Sequence, residues 1–499
     1  MSFREKLKMK ETEVPLGTSL QPDEVDIAFQ SFALALARAA SSCTTRKVVA
    51  VGAFRILVSA MKGETHQFIV GPASLALSQL SLIDDEARRA VVEAGGLPTC
   101  AAVVSGGEAL AVEMACKTLA SVALVTEGKR QMSEKGAAVA LATLLCQRAA
   151  SPGKHITERA TVYGLFALSN GAAGSDANRN LFSGLGVVDS VRSILAEIPG
   201  RDVVLGAANL IANLSFTNAF AAETYLRGDC VRYLVAAADA ADDGDVRAAV
   251  MIALANLSNS APNQLLLGDI DGAEALVLHT LRESEDAAEL TAASLACGSM
   301  SYESILIRTR MGQSGFVEAL VDVVMCKGLG ETADCKAAEA ASLALVSLLA
   351  QAVNRDTLAE SGDLTELVDL YLSCDGTESM AVLNAGGMVV AALVPRPRER
   401  AGLEGRRSLV EDAGGGRVLT RCAQWVYGRG DGPPNWLKRA IAMLEMMEEE
   451  GAAVLKQSKG EGGLVQVGEL SSVEPSECYP QRRLFQEVTA LPRPECVPD

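Results

Sequence analysis

Three short segments recur at a fixed interval and restrict this chain to one kind of architecture. They read Leu168-Ser169-Asn170, Ala212-Asn213-Leu214-Ser215 and Ala255-Asn256-Leu257-Ser258, and their asparagines stand 43 residues apart. A second marker runs through most of the chain: a Gly or Asp with an apolar residue, usually Leu, five positions later. It occurs as Gly52/Leu57, Gly95/Cys100, Gly136/Leu141, Gly186/Val191, Asp229/Leu234, Asp271/Leu276, Gly315/Leu320, Gly362/Leu367 and Gly414/Leu419. Successive intervals are 43, 41, 50, 43, 42, 44, 47 and 52 residues. The longer ones hold polar or Gly-rich inserts, such as Ser151-Pro152-Gly153-Lys154 and Gly328-Leu329-Gly330-Glu331. Self-similarity at this period means units that stack on their neighbours to bury a shared core, and insertions between helices cost such an array little.

The units read as helical. The glycine ends one helix, because it alone enters the left-handed conformation readily. A helix of about ten residues follows, as in the stretch from Gly315 to Val324. A polar turn then leads to a longer Ala/Leu-rich helix, as in Val246 to Leu257, whose apolar residues cover most of its circumference and predict burial between neighbours. The polar stretch Asn259 to Asn263 leads into the next short helix. Hydrophobic residues make up 49% of the chain but aromatics only 4%, so the core is Ala, Leu and Val, side chains that let helices pack closely. No alternating strand period interrupts the pattern.

With both markers in place, the sequence resembles the armadillo repeat family, whose units have a Gly-led second helix and a third helix ending in Asn-Leu-Ser or similar. HEAT repeats lack both markers. The resemblance covers about residues 25–455, is most specific from Gly95 to Gly362 and fades in the last two units. It implies an all-α, right-handed α-α superhelix: an armadillo-like helical repeat solenoid of about nine units over residues 24–455. Residues 1–23 are expected to be a flexible N-terminal segment, and residues 24–41 to form one amphipathic helix that caps the first unit. After Gly451 the composition turns to Gly, Ser, Pro and Glu, which predicts a disordered tail over 456–499. The segments Pro395–Arg400 and Gly428–Pro434 read as exposed loops.

In armadillo proteins that hold extended peptides, the third helices line a concave groove. The resemblance implies that Asn170, Asn213 and Asn256 contact a peptide backbone there, with Gln79 and Ser121 as weaker equivalents and Gly298 and Ser347 interrupting the row later. An amide donates and accepts at once, so it pairs with any main chain and leaves the peptide side chains to set specificity. An asparagine near a helix end can equally bond the backbone of the neighbouring repeat and fix the packing. Both readings stand at the level of sequence. Nuclear-import adaptors of this fold carry Trp one turn before the asparagine, whereas this chain has Phe166, Asn209 and Ile252, and its only tryptophans are Trp425 and Trp436. It also lacks the Arg/Lys-rich N-terminal segment of those adaptors. An import adaptor is therefore disfavoured, while Phe166 and Asn209 stay among the candidate partner contacts.

Charge and motif content narrow the partner. With 45 basic and 62 acidic residues the chain carries −17, which argues against nucleic acid and anionic membranes and suits a basic peptide or tail. The twelve cysteines form no CxxC pair and the opening Met1-Ser2-Phe3-Arg4 is polar, so buried free thiols in a reducing, cytoplasmic setting are expected, with nuclear or cytoskeletal placement as alternatives. No apolar run predicts a transmembrane helix. Three dispersed histidines, His66, His155 and His279, give no metal spacing, His279 falling on an apolar helix face and His155 in a polar insert. No phosphate loop appears, and Gly184-Leu185-Gly186 is a repeat junction. No catalytic residue, metal or cofactor is therefore expected. The sequons at Asn213 and Asn256 lie in helices, and Arg429-Gly430-Asp431 and the Cys496 ending are chance matches. The function expected is an intracellular scaffold gripping a protein segment in the groove. A small-GTPase regulator or a structural cytoskeletal or axonemal component are the alternatives.

Overall fold

A computed structural model describes residues 31–36, residue 437, and 52–428 apart from short breaks at 63–66, 135, 152–155, 198, 329, 375–378, 394–409 and 411. The leader, the tail and both proline-containing loops lie outside the described residues, as do His66 and His155. Of the expected capping helix, residues 31–36 are helical. Every regular element among the described residues is an α-helix, and no strand occurs.

The repeating unit has three helices. One example runs through Ala219–Arg227, Cys230–Ala240 and Gly244–Leu257, and the next through Ala261–Gly268, Ala273–Glu283 and Ala287–Ser301. The marker glycines sit between the first and second helices with positive φ, as at Gly95 (φ 79), Gly136 (φ 75) and Gly315 (φ 91). Asp229 takes the same left-handed conformation at φ 59, which Asp tolerates better than most residues with a Cβ. One marker shifts: the left-handed residue is Gly272 (φ 82), not Asp271, because glycine bears that conformation at no steric cost. The corrected spacing to Asp229 and to Gly315 is 43 residues on both sides.

The chain divides into two compact units. Residues up to Gly171 together with Ser175–Leu185 form the first, and residues from Gly186 onward, with Ala172–Gly174, form the second. Within each, third helices stack on third helices and first helices on first helices. The third helices carry the core. In Ala287–Ser301 every residue from Glu289 to Ser301 is buried, and its Ala, Ser, Cys and Gly side chains allow the close approach.

The polar first helices are tied in by caps and buried amides. Side chains of Asp84, Ser175, Asn218, Ser260 and Ser304 accept from the amide three residues on, satisfying a donor that the helix itself leaves open. Asn178 Nδ2 donates to Lys129 O (2.9 Å) and Gly171 O (2.8 Å), and Asn354 Nδ2 to Arg308 O (3.0 Å) and Leu348 O (2.9 Å). Asn263 Nδ2 likewise reaches Ala219 O at 3.1 Å. The next residue caps the preceding third helix: Arg355 Nη1 donates to Leu349 O (2.9 Å), and Arg308 Nε to Ser301 O (3.0 Å). Cations there meet orphan carbonyls at the negative end of a helix dipole.

Candidate functional site

The residues expected to face a partner lie on the third helices, and the structure divides them by what their polar atoms already do. Asn256 is 4% exposed, and its Nδ2 donates to Ala212 O at 2.9 Å, the carbonyl just before Asn213 in the preceding repeat. Asn170 makes the same bond to Ala120 O at 3.0 Å, just before Ser121. Ser121 Oγ donates to Ser81 O (2.9 Å), and Ser347 Oγ to Gly298 O (3.2 Å). One position in four repeats therefore ties its third helix to the main chain of the one before. This is the packing reading of the asparagine, realised in hydrogen bonds.

Solvent access, a separate matter from hydrogen bonding, is also narrow on the inner face. In the second unit, helix Arg201–Ser215 leaves Leu205, Asn209 and Asn213 half-buried, continued by Phe216, a stripe at helical spacing. On the next third helix Ile252 and Asn256 are buried and Ala248, level with Leu205, is half-buried; on the one after it Thr291, Leu295 and Ser299 are buried, Ser299 and not Gly298 standing 43 residues after Asn256. Asn209 is distinctive because its Oδ1 is sealed from solvent with no hydrogen-bond partner. In the first unit Phe166 is buried, while Gln79 and Asn170 are half-buried.

The starts of the third helices carry the charge. Arg201 Nε pairs with Asp243 at 2.5 Å and its Nη2 with Asp245 at 2.6 Å, and Arg247 Nε pairs with Glu289 at 2.9 Å, each across one repeat. Burial works against the charged form of Asp243, but hydrogen bonds from Arg201 and the Val246 amide outweigh it and hold the carboxyl below its ordinary range. The hydrogen bond to Glu289 raises Arg247 further above its ordinary value. Around these pairs Asp239, Asp242, Glu283, Glu285, Asp286 and Glu331 stand exposed at the turns between second and third helices.

Seven of the nine described cysteines are buried. Burial pushes the thiols of Cys100 and Cys230 up to about 12, far from thiolate chemistry. Cys146 and Cys326 depart from the expected burial: both are exposed on second helices. His279 is also exposed, because its apolar neighbours Leu276 and Val277 turn to the core and leave it on the outer side of its helix. Among the described residues no group of three or more His, Cys, Asp or Glu could hold a metal ion, and no helix is long and apolar enough to cross a membrane.

Sequence reading missed the first-helix residues Asn178, Asn263 and Asn354 with Arg179, Gln264 and Arg355. Their signal is a capping residue followed three and four positions later by Asn and a long polar side chain, as in Ser175-Asp176-Ala177-Asn178-Arg179.

No family model matches the chain, and no curated protein matches it in sequence. The fold is shared with a solved structure. An engineered protein crystallised by the Northeast Structural Genomics Consortium superposes with a TM-score of 0.69 over 89% of this chain and 97% of its own, at 20% identity. A designed armadillo repeat protein aligns with 50% of this chain and 99% of its own, at 21% identity and a TM-score of 0.44. In fold the chain is an all-α helical repeat protein, sharing its architecture with the engineered protein over most of its length.

Proposed function

We propose that this chain is a non-enzymatic scaffold that binds a protein partner through the inner face of its third helices. The observation that carries the reading is the stripe Leu205, Asn209, Asn213 on helix Arg201–Ser215. It stays half-buried where the following third helices are closed, and it keeps an asparagine whose sealed Oδ1 has no partner in the fold, so that its amide must turn outward to meet one. A buried acceptor without a partner costs about 1–3 kcal/mol, so an apolar residue at 209 would serve packing better than Asn does. A partner's main chain is the ligand such amides suit, since they pair with it whatever its sequence. In the first unit Asn170, Phe166 and Gln79 hold the corresponding positions.

The partner segment is basic and extended on this reading. The net charge of −17 and the exposed carboxylates at the third-helix starts favour cations and speed their encounter. A cytoplasmic setting suits a chain with free cysteines. The test is selection of peptides from a random extended library against the wild-type chain, followed by measurement on Asn209→Leu and Asn213→Ala. Enrichment of Lys/Arg-containing peptides that bind wild type and lose affinity in both variants is the expected result. Peptides that bind both variants at wild-type strength would refute the assignment.

A further inference from the structure

The first helices of the second unit present a surface that the third-helix reading does not use. Their opening turns are apolar and solvent-facing in four successive repeats: Phe220 in Ala219–Arg227, Pro262 in Ala261–Gly268, Ile305 and Leu306 in Ile305–Gln313, and Val353 in Ala352–Glu360. Leu265 lies exposed one turn further along the second of these. The helices are neighbours in the stack and are pinned together near these turns. Asn263 Nδ2 bonds Ala219 O, Glu303 accepts from the Ala261 amide at 2.9 Å, and Asn354 Nδ2 bonds Arg308 O.

The first unit treats the same positions differently. Its first helices open with Asp85-Glu86, Thr126-Glu127 and Asp176, the acidic start that a helix dipole favours. The second unit gives up that stabilisation and exposes hydrocarbon instead. Phe220 is 78% exposed, Ile305 and Leu306 are 64% exposed, Val353 45% and Leu265 42%. At about 170 Å² averaged over fully open Phe, Leu, Ile and Val residues, these five leave roughly 500 Å² of apolar surface on one copy, near the top of the range for the largest patch on a monomer.

We propose that this ridge is the interface of a homodimer. A row of apolar side chains on successive helices can meet itself under a two-fold rotation, which pairs Phe220 of one copy with Val353 of the other and brings the central residues together near the axis. Two ridges together remove roughly 1,000 Å² from water before any polar rim is counted, which reaches the threshold of a specific interface. No charged residue occupies the first two positions of these four helices, and the exposed carboxylate beside them, Glu303, is held by the Ala261 amide, so this edge carries less like charge than a chain of −17 does elsewhere. The acidic openings of the first unit resist the same pairing, which confines the interface to the second.

Sedimentation equilibrium and light scattering on the full chain, from about 1 to about 100 µM, test this proposal. The expected mass is twice 52.1 kDa, with Phe220→Asp combined with Leu306→Asp weakening dimerisation by at least about tenfold while the helical circular dichroism and melting stay at wild type. Leu110→Asp, an exposed position in the first unit, leaves the dimer intact. A monomer throughout the range, a dimer that survives the double substitution, or a dimer broken by Leu110→Asp would each overturn it. The Asn209 and Asn213 variants keep the dimer, so the outcome is independent of the peptide-binding test.

Discussion

Asn256→Ala separates the two meanings of the third-helix asparagine most cleanly. The side chain is buried, and its one recorded amide bond runs 2.9 Å to Ala212 O across the repeat boundary. Removing it does not orphan that carbonyl, which also accepts from the Phe216 amide at 3.2 Å. The hydrogen-bond loss is therefore the net value of one bond, about 1 kcal/mol, and not the full cost of an unsatisfied buried group. Deleting the amide also leaves a small void between two closely packed helices, worth about 1 kcal/mol more. The expected cost is about 2 kcal/mol, and Asn256→Asp costs more because it sets a carboxylate oxygen against Ala212 O. Guanidinium unfolding followed by circular dichroism reads the total. Hydrogen exchange localises it to Arg201–Ser215 and Gly244–Leu257, because repeats transmit stability only to neighbours. A midpoint and slope equal to wild type, with unchanged exchange in both helices, would refute the packing role and return Asn256 to the partner.

Other consequences follow from the same contacts. Arg355→Met keeps the volume but leaves the Leu349 and Ala350 carbonyls without their cap, and is expected to cost about 2–3 kcal/mol in denaturant melts. Gly312→Ala would drive a Cβ into Asn354 Oδ1, forcing that amide off both its carbonyls. A loss of about 2–4 kcal/mol is expected, whereas an unchanged melting temperature would show the contact to be soft. Asn209→Leu removes an unpartnered acceptor and is expected to stabilise the chain by about 1 kcal/mol, the sign opposite to Asn256→Ala. Among the nine described cysteines, Cys146 and Cys326 are expected to take up N-ethylmaleimide in the native state. The other seven react only on unfolding, and peptide mapping shows which.

The repeat was legible because it is written twice, in a residue that must turn left-handed and in a residue that must bond sideways. Gly95, Gly136, Gly186, Gly315, Gly362 and Gly414 announce the first in plain sequence, and positive φ follows at each. Asp229 does so only through its spacing, and Gly272 was displaced by its neighbour Asp271 because both fit the pattern within one residue. The first helices are the least legible, marked in sequence only by the glycine that ends them. Helices such as Asp176–Ser183 and Ala261–Gly268 are eight residues long, too short for an apolar face to repeat. What fixes them is long-range, namely an amide or guanidinium reaching the carbonyls of another helix, and no local pattern records the partner. Burial of the inner face was equally hidden. Ile252 and Leu295 look like groove residues by position, and only the distance between stacked helices decides that they are covered.

That distance also explains where binding can reside. Small residues such as Ala292, Ala293, Ser294, Ala296, Cys297 and Gly298 bring third helices so close that one helix's side chains bond the next helix's carbonyls. The same closeness removes the room a peptide needs, so a repeat with a tight seam can offer little on its inner face. Rung and ligand contact thus compete for one position, and the competition is settled repeat by repeat. Asn256 is committed to the rung. Asn209 lies one turn before the rung position of its own helix, on a repeat whose stripe remains half open, and its carbonyl oxygen contributes nothing to the packing around it. A polar group that the fold neither uses nor exposes is costly to keep, which makes Asn209, and not the recurring asparagine that reveals the repeat, the residue most informative about binding.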